Sequence, residues 1–99
     1  MIRGVFCILL ILVQLQSLAQ EASVYQFGIK EEIAPPIWRK VKLAMDEAQE
    51  LEVDAIVINM NTYGGSVDAA DSIRTRILQS DIPVYVLIEN NAASAGALI

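Results

Sequence analysis

Apolar and polar residues alternate along this chain in three distinguishable rhythms. Ser23-Val24-Tyr25-Gln26-Phe27-Gly28-Ile29 is rich in β-branched and aromatic residues and predicts a first strand. A mostly polar connection over 30–34 leads to Pro35-Pro36, and proline fits the first helical turn, where its missing N–H is not needed. Ile37, Val41, Ala44, Met45, Ala48 and Leu51 then recur at helical spacing and predict one buried stripe. Arg39, Lys40, Lys42, Asp46, Glu47 and Glu50 occupy the other face, and Trp38 pads the edge of the stripe. A near-continuous apolar run at 55–60 predicts a second strand buried on both faces, as strands of parallel sheets are. Val67, Ala70, Ile73, Ile77 and Leu78 mark a second amphipathic helix, with Asp68, Asp71, Arg74, Arg76 and Gln79 outward. The third strand is expected at 82–88, with Pro83 near its start, where a sheet tolerates it. Glu89-Asn90-Asn91 reads as a loop, and a third helix is expected from Ala92 onward. The order β-α-β-α-β-α predicts an α/β layered fold with a mainly parallel sheet and right-handed crossovers.

The first residues follow a different pattern. Arg3 is the only early charge, 5–13 is unbroken apolar sequence, and Ser17 and Ala19 are small residues at its polar exit. That arrangement describes a secretory signal peptide at 1–19, cleaved after Ala19, with an uncleaved anchor as the alternative. The apolar run is short of the roughly 20 residues that span a bilayer. Cleavage removes one base and no acid, taking the net charge from −5 to −6. Such a chain has no basic stripe to neutralise phosphates, which argues against a nucleic-acid binder. Its single cysteine, Cys7, lies inside the leader, so the mature segment at 20–99 has no disulfide or thiolate metal site.

Two small-residue turns follow the second and third strands. They are Asn61-Thr62-Tyr63-Gly64-Gly65-Ser66 and Ala92-Ala93-Ser94-Ala95-Gly96. Parallel strands bring both turns to one carboxyl edge of the sheet, where open α/β sheets hold their ligands. A serine hydroxyl needs a base to become a nucleophile, and the developing oxyanion needs fixed donors. Ser94 is the candidate nucleophile, with the backbone N–H groups of Gly65 and Ala95 as the candidate oxyanion donors. Each turn has an ordinary reading too: a helix start with a serine cap, and a tight Gly-Gly turn. A phosphate-binding reading of Gly64-Gly65-Ser66 lacks both Gly-rich phosphate motifs.

Together these turns, with Ile82-Pro83-Val84 between them, resemble the Clp-protease/crotonase superfamily. The likeness is greatest to the membrane-bound serine proteases of the NfeD type and extends over the whole mature segment. It implies a Clp-protease/crotonase-like layered fold that is incomplete in this chain, with Ser94 as nucleophile and the Gly65 and Ala95 amides as oxyanion hole. It also implies a serine–lysine dyad, in keeping with the absence of histidine. That lysine is expected downstream of Ser94, where this chain has none; Lys30, Lys40 and Lys42 all precede it. The chain therefore reads as the N-terminal part of a longer protease, inactive alone, that cleaves hydrophobic peptide segments. The implied protein needs no cofactor, forms homo-oligomers, is exported and membrane-associated, and has stomatin-type partners. Signal peptide peptidase A shares the same turns and is the nearest rival. The fold is also compatible with a non-catalytic membrane-partner scaffold and with a crotonase-like acyl-CoA enzyme. One position departs from the family's pattern: Tyr63 stands where proline usually precedes the glycine pair. Tyrosine there either loosens the turn or reaches into the substrate groove.

Overall fold

The computed structural model describes residues 21–99; the expected leader at 1–19 lies outside the described residues. Strand β1 (Val24–Ile29) leads to helix α1 (Pro35–Glu50), then β2 (Ala55–Thr62), helix α2 (Val67–Leu78) and β3 (Val84–Ala92). A 3-10 turn, Ser94–Leu98, follows. All pairing is parallel, in the order β1-β2-β3, with Phe27 opposite Ile58 and Ile58 opposite Val86. The α/β layering and the parallel sheet are as the periodicity predicts.

Both helices contribute to one apolar cluster against one face of the sheet. Ile37, Val41, Met45 and Ala48 of α1 meet Ala69, Ala70 and Ile73 of α2 over Ile29, Ile56, Ile58 and Met60. Pro35 starts α1 with no side-chain cap, as its fixed φ allows. Ser66 starts α2, its side-chain oxygen accepting the Ala69 N–H at 3.2 Å. Tyr25 donates a hydrogen bond to Glu47 and ties the edge strand to α1. Among the described residues no helix is long and apolar enough to cross a membrane.

Four expectations need correction. Residues at even positions of β2 are buried and those at odd positions only half-buried, so one face, not both, is covered by helices. Asn59 and Asn61 lie on that second face, and their amides are poor core groups. Leu51, Val67 and Leu78 are exposed, each at the end of its helix, where the buried stripe has run out. Arg76 turns inward instead, its side chain 15% exposed and 3.1 Å from Asp46 of α1. The loop expected at 89–91 is strand, because β3 follows the lengthened β2 to its end. Between paired positions Met60–Ile88 and Thr62–Ala92 the register shifts, and β3 carries two more residues than β2.

Candidate active site

The carboxyl edge is organised by Thr62, a buried polar residue at the end of β2. Its hydroxyl donates to the Glu31 carbonyl at 2.8 Å and accepts the Gly64 N–H at 3.2 Å. Its own carbonyl accepts the Ala93 N–H at 3.1 Å. One side chain and one peptide group therefore hold the connection after β1, the Gly-Gly turn and the chain entering Ser94 in fixed relation.

Ile33 supplies the next constraint. It is fully buried and forms a single parallel bridge with Gly65. The Ile33 N–H donates to the Gly64 carbonyl at 2.8 Å, and the Ser66 N–H donates to the Ile33 carbonyl at 2.7 Å. In a parallel bridge of this pattern the middle residue's own N–H and C=O point to the opposite side. The Gly65 amide is thus turned away from Ile33. A side chain could not occupy this place, since a Cβ on Gly65 would sit 2.2 Å from the Ile33 carbonyl oxygen. Its φ of +149° lies in the range that glycine alone adopts readily. Glycine is required here by close approach and by conformation together.

The two turns meet through Gly64. A Cβ on Gly64, at φ +112°, would stand 2.7 Å from the Ser94 Cβ and 3.1 Å from the Ala95 N. Ser94 has φ +51°, a left-handed conformation that few non-glycine residues take. It is exposed, whereas Ala95 beside it is fully buried. The positive φ breaks regular helical entry, and the chain continues as a 3-10 turn with Gly96 N–H donating to Ala93 O at 2.9 Å. The third helix expected from Ala92 is therefore replaced by a short turn opening at Ser94. A turn this short has little macrodipole, so the local amides rather than a helix field carry any electrostatic effect.

A cleft of about 500 Å³ borders this edge, with Lys30, Glu31, Glu32, Tyr63, Gly64 and Gly65 on its wall and the carboxamides of Asn61, Asn90 and Asn91 beside them. Ser94 and Ala95 are not among its lining residues; both pack against Gly64, which is. Lys30 is engaged by Glu89 at 3.2 Å, and with Asn59 it holds the Glu89 carboxyl below its ordinary range. Lys40 donates to the Gly28 carbonyl at 2.9 Å, and Lys42 is exposed on α1. None of these three lysines makes a hydrogen bond to Ser94. The organising roles of Thr62 and Ile33 do not show in the sequence motifs. Ile33 did leave a signal, as a lone isoleucine between Glu32 and Ala34 in an otherwise polar connection.

The model of the NfeD1b N-terminal domain matches residues 23–99. The chain belongs to this family. A relative, membrane protein NfeD1b of Bacillus subtilis, is 30% identical over 97% of this chain and 22% of its own length. Membrane-bound protease PH1510 of Pyrococcus horikoshii is 35% identical over 77% of this chain and 18% of its own length. The chain thus spans about a fifth of the curated relatives it matches. Among solved structures, a serine-to-alanine mutant of the 1510-N membrane-bound stomatin-specific protease superposes with a TM-score of 0.71 at 31% identity, covering 78% of this chain and 39% of that one. A lysine-to-alanine mutant of 1510-N in complex with a substrate peptide gives 0.70 at 33%, covering 77% and 36%. ClpP1 from Listeria monocytogenes gives 0.73 at 28%, covering 75% and 44%. The NfeD1b N-terminal domain therefore has a ClpP-like α/β fold, of which this chain holds the three-stranded part.

Proposed function

We propose that this NfeD1b-type domain belongs to a membrane-associated serine endopeptidase that cleaves hydrophobic peptide segments. Ser94 is the nucleophile, and the Gly65 and Ala95 amides form the oxyanion hole. The observation that carries the reading is the positive φ of Ser94 against Gly64, because backbone strain of this kind is retained chiefly where function needs it. Ser94 is itself exposed, in a turn in which Ala95 is buried.

In the first step the Ser94 Oγ attacks the scissile carbonyl carbon as a base takes its proton. The carbonyl oxygen becomes negatively charged and is stabilised by the two backbone donors. The leaving amine then accepts the proton, and water hydrolyses the resulting ester. A lysine C-terminal to Ile99 is the base, by likeness to the family's serine–lysine dyad. That 1510-N is known as a serine-to-alanine and as a lysine-to-alanine mutant supports that choice. On this reading the 99-residue chain has no activity by itself.

The description of 1510-N as stomatin-specific supports a stomatin-like membrane partner here. Export through the leader at 1–19, residence outside the cytoplasm and assembly into homo-oligomers complete the proposal. The test uses the complete protein and a fluorogenic apolar peptide. Ser94→Ala abolishes cleavage while the circular dichroism spectrum is unchanged; cleavage retained at the wild-type rate removes Ser94 as nucleophile.

A further inference from the structure

Tyr63 is unusual in this molecule: a large aromatic residue, 80% exposed, on a turn whose backbone is fixed on both sides. Thr62 before it is buried and anchored to Glu31, and Gly64 after it is held by Ile33 and packs against Ser94. The turn is thus not loose, and the ring stands on a rigid mount one residue from the contact with Ser94. It lines the cleft, where the other side chains are charged or carboxamide-bearing apart from Thr62 and the two glycines. Exposed aromatic rings on rigid supports are the side chains that anchor partners most often, because they bury much area while losing few rotamers. Among the described residues no hydrogen bond or aromatic pair involves this ring: its Thr62 and Gly64 neighbours are held through Thr62 Oγ1 and the backbone.

We propose that Tyr63 is the specificity-determining residue of the cleft, packing its ring against an apolar side chain of the bound peptide segment beside the bond to be cut. The inference rests on the endopeptidase reading for its location and goes beyond it in assigning the side-chain preference. The Asn91 carboxamide donates to Asn61 Oδ1 at 3.5 Å on the same wall, and the remaining N–H and lone-pair capacity of the pair suits the peptide groups of an extended backbone. Among the lining residues Tyr63 brings the one large apolar side chain that an apolar side chain of the peptide can meet. Peptides carrying glycine at the matching position lose that contact and bind without regard to Tyr63.

The experiment measures binding of a fluorescein-labelled Leu- and Val-rich peptide to the complete protein in the Ser94→Ala background, together with KM and kcat of the Ser94 form. Tyr63→Ala is expected to raise Kd and KM about tenfold with kcat nearly unchanged, as for loss of one aromatic anchor. Tyr63→Phe keeps the ring and restores wild-type values, and a Gly-substituted peptide shows no difference among the three. Unchanged thermal unfolding of both variants accompanies this result. Equal binding with and without the ring overturns the proposal while leaving the endopeptidase reading in place, and so does failure of the Ser94→Ala protein to bind the peptide at all. Ring-dependent binding by a protein that never cleaves supports Tyr63 as the selector and overturns the endopeptidase reading instead.

Discussion

Ser94 occupies a backbone region that glycine enters without steric penalty and serine does not. Ser94→Gly is therefore expected to stabilise the protein by about 1 kcal/mol while removing the hydroxyl, the usual sign of a strained functional position. Denaturant titration reads the difference, and equal or lower stability would mean that Ser94 carries no strain. The opposite substitution is expected to do the reverse at the neighbouring turn. Gly64→Ala places a methyl group 2.7 Å from the Ser94 Cβ at a φ that L-residues avoid, and is expected to cost about 2 kcal/mol or more. Gly65→Val drives a side chain into the Ile33 carbonyl, so its loss of turnover is expected to come with loss of stability. A Gly65→Val protein of normal melting temperature and normal rate would contradict the close approach. For an intact oxyanion donor the rate effect alone is of the order of 3 kcal/mol.

At the scale of elements, the caps and the edge are the exposed points. Ser66→Ala removes the side-chain acceptor of the Ala69 N–H and is expected to destabilise α2 by about 1 kcal/mol, read by chemical denaturation. An unchanged midpoint would show that water replaces the cap. Tyr25 is held above its ordinary pKa, chiefly by donating to Glu47 and then by burial and the nearby negative charge. A proton bound more tightly in the folded state stabilises below the unfolded pKa and is lost as pH rises through the folded one. The β1–α1 contact is therefore expected to weaken above about pH 10, and Tyr25→Phe to flatten that alkaline fall. Identical alkaline profiles for the two proteins would remove Glu47 as the cause. Helix stripes and strand runs were legible in the residue pattern because burial repeats with the period of each element. The extension of β3 to Ala92 was not, since Glu89-Asn90-Asn91 has the composition of a loop and is strand only through pairing with β2. The meeting of the two small-residue turns was legible from their places after two strands expected to be parallel. The bridge from Ile33 and the 3-10 turn at Ser94 depend on contacts that no local pattern encodes.

Across the whole described molecule the sheet is covered on one face only. The other face carries Val24, Tyr85 and Leu87 exposed, with Val57 half-buried between them. Its two edges, β1 and β3, each have one paired side. Apolar surface next to open strand edges favours association. Residues 21–99 produced alone are expected to associate in a concentration-dependent way, and Leu87→Lys with Tyr85→Thr to return them to monomers. Analytical ultracentrifugation decides this, and a monomer at all concentrations would show that the face tolerates water. The polar line Gln26–Asn59–Glu89–Lys30, with contacts of 2.6, 3.3 and 3.2 Å, crosses the same face near the cleft and limits the apolar area to its lower part.

The most direct test of a nucleophilic Ser94 is covalent labelling of the complete protein with a fluorophosphonate, followed by peptide mapping in the mass spectrometer. The adduct is predicted on the peptide containing Ser94 and is predicted to vanish in Ser94→Ala. An adduct on Ser66, or none on any serine under conditions where a peptide is cleaved, would contradict the account.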